Sequence, residues 1–163
     1  MQQGQNGGMD KSMMRQHYVM LGLNILISLI IMYFLMFEMI WSGDHFYNNV
    51  NMFYMAVTMA MPMGVLMLLL MGSMYRDRKL NTLLYLGFIV LFALAFVGIR
   101  AQGLVGDRQF IRSMIPHHSS AIEMCNRASI SDPRLKDICF KPNGIVDSQT
   151  REIAVMKAIL ASK

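Results

Sequence analysis

Residues 52–74, MFYMAVTMAMPMGVLMLLLMGSM, decide how the rest of the chain is read. The stretch carries no charge, and as a helix rising 1.5 Å per residue it is long enough to cross a hydrocarbon core of roughly 30 Å. Met52, Met55, Met59, Met63, Met67, Met71 and Met74 advance through it by three or four and make a single helical stripe. Two more uncharged runs, Tyr18 to Phe37 and Leu80 to Ile99, have the same character. The sequence therefore predicts three transmembrane helices in a chain of 163 residues that is 55% hydrophobic, with mean hydropathy +0.39.

The first run is longer than the apolar core of a secretory signal, and no small-residue cleavage site follows it, so it is expected to stay in the protein. Trp41, Tyr47 and Tyr54 crowd the exit of span one and the entrance of span two, as aromatic side chains do at a membrane interface. Lys11 and Arg15 precede span one, and Arg76, Arg78 and Lys79 lie between spans two and three. The segment Ser42 to Asn51 has no Lys or Arg, which places it outside the cytoplasm by the positive-inside rule. The expected topology is a bacterial inner-membrane protein with its amino terminus in the cytoplasm and its last domain in the periplasm. Ten Lys and Arg residues from Arg100 to Lys163 pull the other way, but six acids offset them and long segments translocate with little regard to charge.

Residues 1–17 are expected to be a cytoplasmic tail, disordered over Met1 to Ser12 for its Gln, Gly and Asn content. Residues 18–100 are expected to form the anchor, and residues 107–163 a helical domain introduced by the hinge Arg100 to Gly106, with Gly103 and Gly106, and by Asp107 as N-cap. Phe110, Ile111, Met114, Ile115, Ala121, Ile122 and Cys125 recur at helical intervals. Asp132 followed by Pro133 marks a second helix start, and Lys141, Pro142, Asn143 and Gly144 interrupt that helix before it resumes near Ile145. About 57 residues make a small independent core, so a homodimer completing a four-helix bundle is expected. Cys125 and Cys139 suit either a disulfide in an oxidising compartment or thiolate metal ligation, and their spacing does not choose.

On a helix, Met114, His117, His118, Ala121, Met124 and Cys125 share one side. Ile145, Gln149, Glu152, Ile153, Met156 and Ile159 share a side of the closing helix. Antiparallel packing would bring Met114 toward Met156 and the histidine pair toward Glu152 and Gln149. Methionines in a stripe are ordinarily core packing, and a His beside a Glu is ordinarily a satisfied pair. Two histidines, a glutamate, a glutamine and three methionines on one seam favour metal instead. Thioethers suit Cu(I), and imidazole suits copper or zinc. Pro116 either kinks this helix or marks its start.

Phe110, Met114-Ile-Pro-His-His-Ser-Ser-Ala-Ile-Glu-Met124, Asp132-Pro133 with Leu135, and Ser148-Gln149-Thr-Arg-Glu152-Ile-Ala-Val-Met156 resemble the family catalogued as domain of unknown function 305, over about Asp107 to Leu160. The resemblance implies an all-α fold: three transmembrane helices followed by an extracytoplasmic helical hairpin, half of a ferritin-like four-helix bundle. It also implies periplasmic copper binding and copper tolerance, carried by Met114, His117, His118, Met124 and Met156, with Gln149 and Glu152 as further candidates. The anchor resembles a three-span subgroup of that family.

Of the 19 methionines, all but Met114, Met124 and Met156 lie in the first 74 residues. The span-two stripe is either soft packing filler or a thioether track for Cu(I). Met32, Met36 and Met39, with His45, Met52 and Met55, would form a further soft-donor cluster at its outer end. The leading expectation is a copper-binding, non-enzymatic membrane protein with Met and His ligands and Cu(I) as the ion. A ferritin-like carboxylate redox enzyme is the alternative, weakened because di-iron bundles supply four Glu and two Glu-x-x-His motifs. A metal-free interaction or sensor module is the third reading. Scattered charges without a recognition motif argue against nucleic acid. Cys125 lies two turns from His118, too far for a nucleophile and base.

Overall fold

The computed structural model describes residues 3–162, with side chains from residue 12 onward. Among these residues every regular element is helical: α1 (Gln3–Leu35), a 3-10 turn (Gly43–His45), α2 (Val50–Leu70), α3 (Arg78–Ala101), α4 (Asp107–Arg127), α5 (Pro133–Phe140) and α6 (Ile145–Ser162). Ser12–Leu35, Val50–Leu70 and Arg78–Ala101 are each long and apolar enough to cross a membrane. The all-α class and the three apolar helices thus match expectation. The tail does not, because α1 already begins at Gln3. A helix nucleated in an apolar span propagates backward at little cost per residue. Met1 and Gln2 lie outside the described residues.

The chain forms two compact units, Met1–Tyr33 with Phe53–Gly103, and Phe34–Met52 with Leu104–Lys163. In the first, Leu21 and Ile25 of α1, Val57, Ala60, Met61 and Leu68 of α2, Tyr75 of the turn that follows it and Ala95 of α3 make one buried cluster. Small residues let the helices approach closely. A methyl group at Gly64 would stand 2.7 Å from the Phe88 ring, and one at Gly98 3.0 Å from the Tyr54 ring. The turn after α2 is tied by polar bonds: Tyr18 Oη donates to Asn81 Oδ1 at 2.6 Å, and Asn81 Nδ2 donates to the Tyr75 carbonyl at 2.7 Å. Asp77 caps α3 by accepting from the N–H groups of Lys79 and Leu80.

The second unit is a hairpin of α4 and α6 bridged by the short α5. Asp132 caps α5 by accepting from the Arg134 N–H, and Pro133 opens it, as its sequence signature predicts. The break at residues 141–144 falls where expected, with Asn143 in the left-handed region (φ 64°) and Gly144 within 2.8 Å of two carbonyl oxygens at its Cβ position. Asp107 is the first helical residue and Gly106 takes the cap position, one residue earlier than expected. Cys125 and Cys139 are joined as a disulfide with Cα atoms 5.6 Å apart, tying the end of α4 to α5.

The hairpin core is Ile111, Ile115, Ile122 and Ile153, with Tyr47, Val146, Met156 and Leu160 packed around it. Tyr47 comes from the segment between α1 and α2, and that segment supplies what a lone hairpin lacks. Pro116 lies inside α4, fully buried, and has no N–H to offer the carbonyl of Arg112. Asn49 Nδ2 donates to that carbonyl at 3.4 Å. Its Oδ1 meanwhile accepts from Met52 N–H at 2.9 Å, capping the start of α2, and from Ser113 Oγ at 3.2 Å. Val50 N–H donates to Gln109 Oε1 at 3.1 Å.

One buried amide, 5% exposed, therefore serves two helices. Asn49→Ala removes a cap and takes the donor from a partly buried carbonyl, and is expected to lower the stability of this unit by about 2 kcal/mol. Denaturant unfolding of the full chain in detergent, followed by fluorescence of its single tryptophan, Trp41, checks this. An unchanged midpoint would show that Asn49 bears no such load.

Candidate metal centre

The inward face of α4 passes through Ile111, Ile115, Pro116, Ser119, Ile122 and Cys125. Of the expected stripe of Met114, His117, His118, Ala121, Met124 and Cys125, only Cys125 is on this buried face, and the rest lie beside it. The expected single seam is corrected accordingly, because the isoleucines win the interior and the candidate donors lie along its flank. Met114 and His118 are half-buried, His117 is exposed, and Met124 is 57% exposed. On α6 the core position belongs to Ile153; Gln149 is half-buried and Glu152 exposed, so neither stands in the core. Met156 packs into the isoleucine cluster and lines a groove with Phe110, Ile111 and Ile159.

The structure does bring His118 and Glu152 together. Nδ1 of His118 is 3.0 Å from Glu152 Oε2, within ion-pair distance but off the line of a hydrogen bond, so this shielded nitrogen has a charged neighbour and no hydrogen-bond partner. Burial lowers the His118 pKa; Glu152 opposes that shift and the adjacent His117 adds to it. The two imidazole rings are 6.0 Å apart. No group of three or more His, Cys, Asp or Glu side chains able to hold a metal occurs among the described residues. With both cysteines in the disulfide, neither is a thiolate ligand.

A second polar cluster escaped sequence reasoning. Ser119 is wholly buried, and its Oγ accepts the Trp41 backbone N–H at 2.7 Å while lying 2.8 Å from His45 Nδ1. Asp44 is paired with Lys157 and with Ser42, and its Oδ1 stands 3.7 Å from His45 Nε2. His45 therefore faces Ser119 and Asp44. The signal was present: a serine in an isoleucine stripe needs a partner. Only a polar residue distant in sequence could provide one.

Burial lowers the His45 pKa, Lys157 adds to the shift, and Asp44 opposes it. A neutral His45 accepts the Ser119 hydroxyl proton at Nδ1, which leaves the serine oxygen free to accept from Trp41. Lys157 and Ser42 hold the Asp44 carboxyl down to about 2.

In architecture, then, the chain is a set of three apolar helices carrying a disulfide-tied helical hairpin whose flank bears a histidine pair and a glutamate. The model for domain of unknown function DUF305 matches residues 98–160, which hold α4 to α6. An uncharacterized protein of Acanthamoeba polyphaga mimivirus is 35% identical over 116 residues, covering 69% of this chain and 71% of the relative. That stretch is longer than the family match, so the likeness extends outside the hairpin. No solved structure matches. The chain belongs to the DUF305 family.

His45 generates a pH dependence. Its folded pKa is below the ordinary 6.5, so the unfolded chain binds the proton more tightly. The contribution is whole above about pH 6.5 and is lost as pH falls below that value toward the folded pKa. Unfolding midpoints of the full chain are expected to drop between pH 7.5 and pH 5, and to drop less in His45→Gln. A midpoint that rises on acidification would contradict this.

Proposed function

We propose that this protein binds copper beside a membrane and sequesters it or passes it on, without catalysing a reaction. The observation that carries the reading is the His118–Glu152 pair. A metal-ligating histidine generally turns one ring nitrogen to a carboxylate or carbonyl and offers the other to the ion. His118 has its Nδ1 against Glu152, and its Nε2 has no protein partner among the described residues. Held toward the neutral form by burial, it has the lone pair that coordination needs.

Met114, four residues earlier on the same face, and the neighbouring His117 are the donors nearest in register. A thioether and imidazoles suit Cu(I), which accepts few ligands. Glu152 in this reading is a positioning residue, Gln149 flanks it, and Met124 and Met156 are secondary donors at most. The resemblance to copper-associated family members supports the same ion. A ferritin-like carboxylate enzyme fits less well, since the described residues gather no cluster of carboxylates and histidines.

For location, the proposed topology puts the amino terminus in the cytoplasm and the hairpin beyond the membrane, on the periplasmic face of the inner membrane in a bacterium. Two features support it. Lys and Arg concentrate beside residues 11–15 and 76–79, and the Cys125–Cys139 disulfide suits an oxidising compartment. The reading includes a homodimer, favoured by Leu135, Ile138 and Phe140, which leave α5 with more than half of each side chain's surface in solvent. Its detergent-corrected mass is expected to be twice 18.6 kDa, and a monomer across a range of concentrations would refute it.

Competition of the full chain with a Cu(I) chelator tests the metal. His117→Ala with His118→Ala is expected to lose one equivalent of bound copper, and Glu152→Gln to weaken that equivalent by about tenfold. Undiminished copper in the double variant would sink the reading.

A further inference from the structure

The first unit holds a set of soft donors that has nothing to do with the hairpin. A groove of about 450 Å³ is lined by His17 and Met20 of α1 and by Met67, Met71 and Met74 at and beyond the end of α2, among Leu21, Ile27 and Tyr75. α2 ends at Leu70, and Met71 to Met74 continue as turns, with Met71 N–H bonded to the Met67 carbonyl at 3.0 Å and Met74 N–H to the Met71 carbonyl at 2.9 Å. That turn carries the Met74 carbonyl to 3.3 Å from His17 Nδ1.

A carbonyl oxygen only accepts, so the contact fixes the proton on Nδ1 and leaves the Nε2 lone pair free. Among the described residues Nε2 has no hydrogen-bond partner. Four thioethers and an imidazole lining one groove differ from plain packing, because methionine filler needs no histidine.

We propose that His17 Nε2, with thioethers drawn from Met20, Met67, Met71 and Met74, forms a second soft-cation site that takes Cu(I), at the end of the apolar helices where Arg15, Arg76, Arg78 and Lys79 lie. No carboxylate lines the groove, so divalent ions that demand oxygen or several anionic ligands are disfavoured, while a monovalent soft ion matches sulfur and nitrogen. Binding here is a ligand exchange, with water or a carrier's donors leaving as thioether and imidazole donors arrive, and no electron is transferred. The site stands independently of the hairpin, because it shares no residue with His118 and Glu152.

The test uses the full chain in detergent with Ag(I), which mimics Cu(I) without redox chemistry. The background is His117→Ala with His118→Ala, so that the hairpin's failure or success does not enter. One Ag(I) per chain is expected by equilibrium dialysis, with sulfur and a single nitrogen in the silver X-ray absorption spectrum, and no comparable Zn(II) uptake. His17→Gln keeps a donor for the Met74 carbonyl but offers no nitrogen lone pair, and is expected to weaken Ag(I) binding by at least about tenfold. Met71→Leu with Met74→Leu preserves side-chain volume, so the fold survives while two sulfurs are lost; a similar loss is expected, with unchanged helical circular dichroism. No Ag(I) in the background chain, or equal binding in all these variants, would overturn the proposal.

Discussion

Pro116 imposes the constraint from which the hairpin's surroundings follow. A proline inside a helix leaves a carbonyl without its donor, and on a partly buried face a neighbouring side chain can supply one. Asn49 fills that place, and because the same amide starts α2, the segment between α1 and α2 becomes a structural part of the hairpin. The Ser119 hydroxyl extends the same logic one turn further along α4. It is buried among isoleucines, so Trp41 and His45 must come to it. Two polar demands made by α4 are thus met by bonds that span more than sixty positions of the chain.

This bears on the candidate centre. Had Met114, His117, His118 and Met124 formed the packed seam, their donors would have been spent on the core. Isoleucine occupies it instead, and the histidines are left along its edge, with burial lowering the His118 pKa and Glu152 standing beside its Nδ1. The arrangement differs from a carboxylate-bridged bundle, where acids project into the middle. Here the single acid faces the histidine from the flank.

The apolar helices were legible because an uncharged run of membrane length is stable in almost no setting but lipid. The Asp132-Pro133 start and the break at residues 141–144 follow from backbone chemistry that no tertiary contact overrides. The inward face of α4 was not legible. Phe110, Met114, Ala121 and Met124 make one helical stripe, and Ile111, Ile115 and Ile122 make another one residue out of phase. Periodicity cannot rank two overlapping apolar stripes, and the branched side chains took the interior. Asn49, His45 and Ser119 were invisible for a different reason: each is an ordinary polar residue until its partner, distant in the chain, is known. Cys125 and Cys139 allowed two chemistries by spacing alone, and the geometry selects the disulfide.

The composite build of the second unit also sets an order of events during biosynthesis. Residues 34–52 are made before α4 and wait, with the contacts of Asn49 to Arg112 and of His45 to Ser119 not yet formed, while two apolar helices are synthesised. Only when the chain past residue 104 arrives can the waiting segment close onto α4. Completion of this unit therefore reports that both intervening helices have been made, and a chain stalled between them would carry an unfinished hairpin.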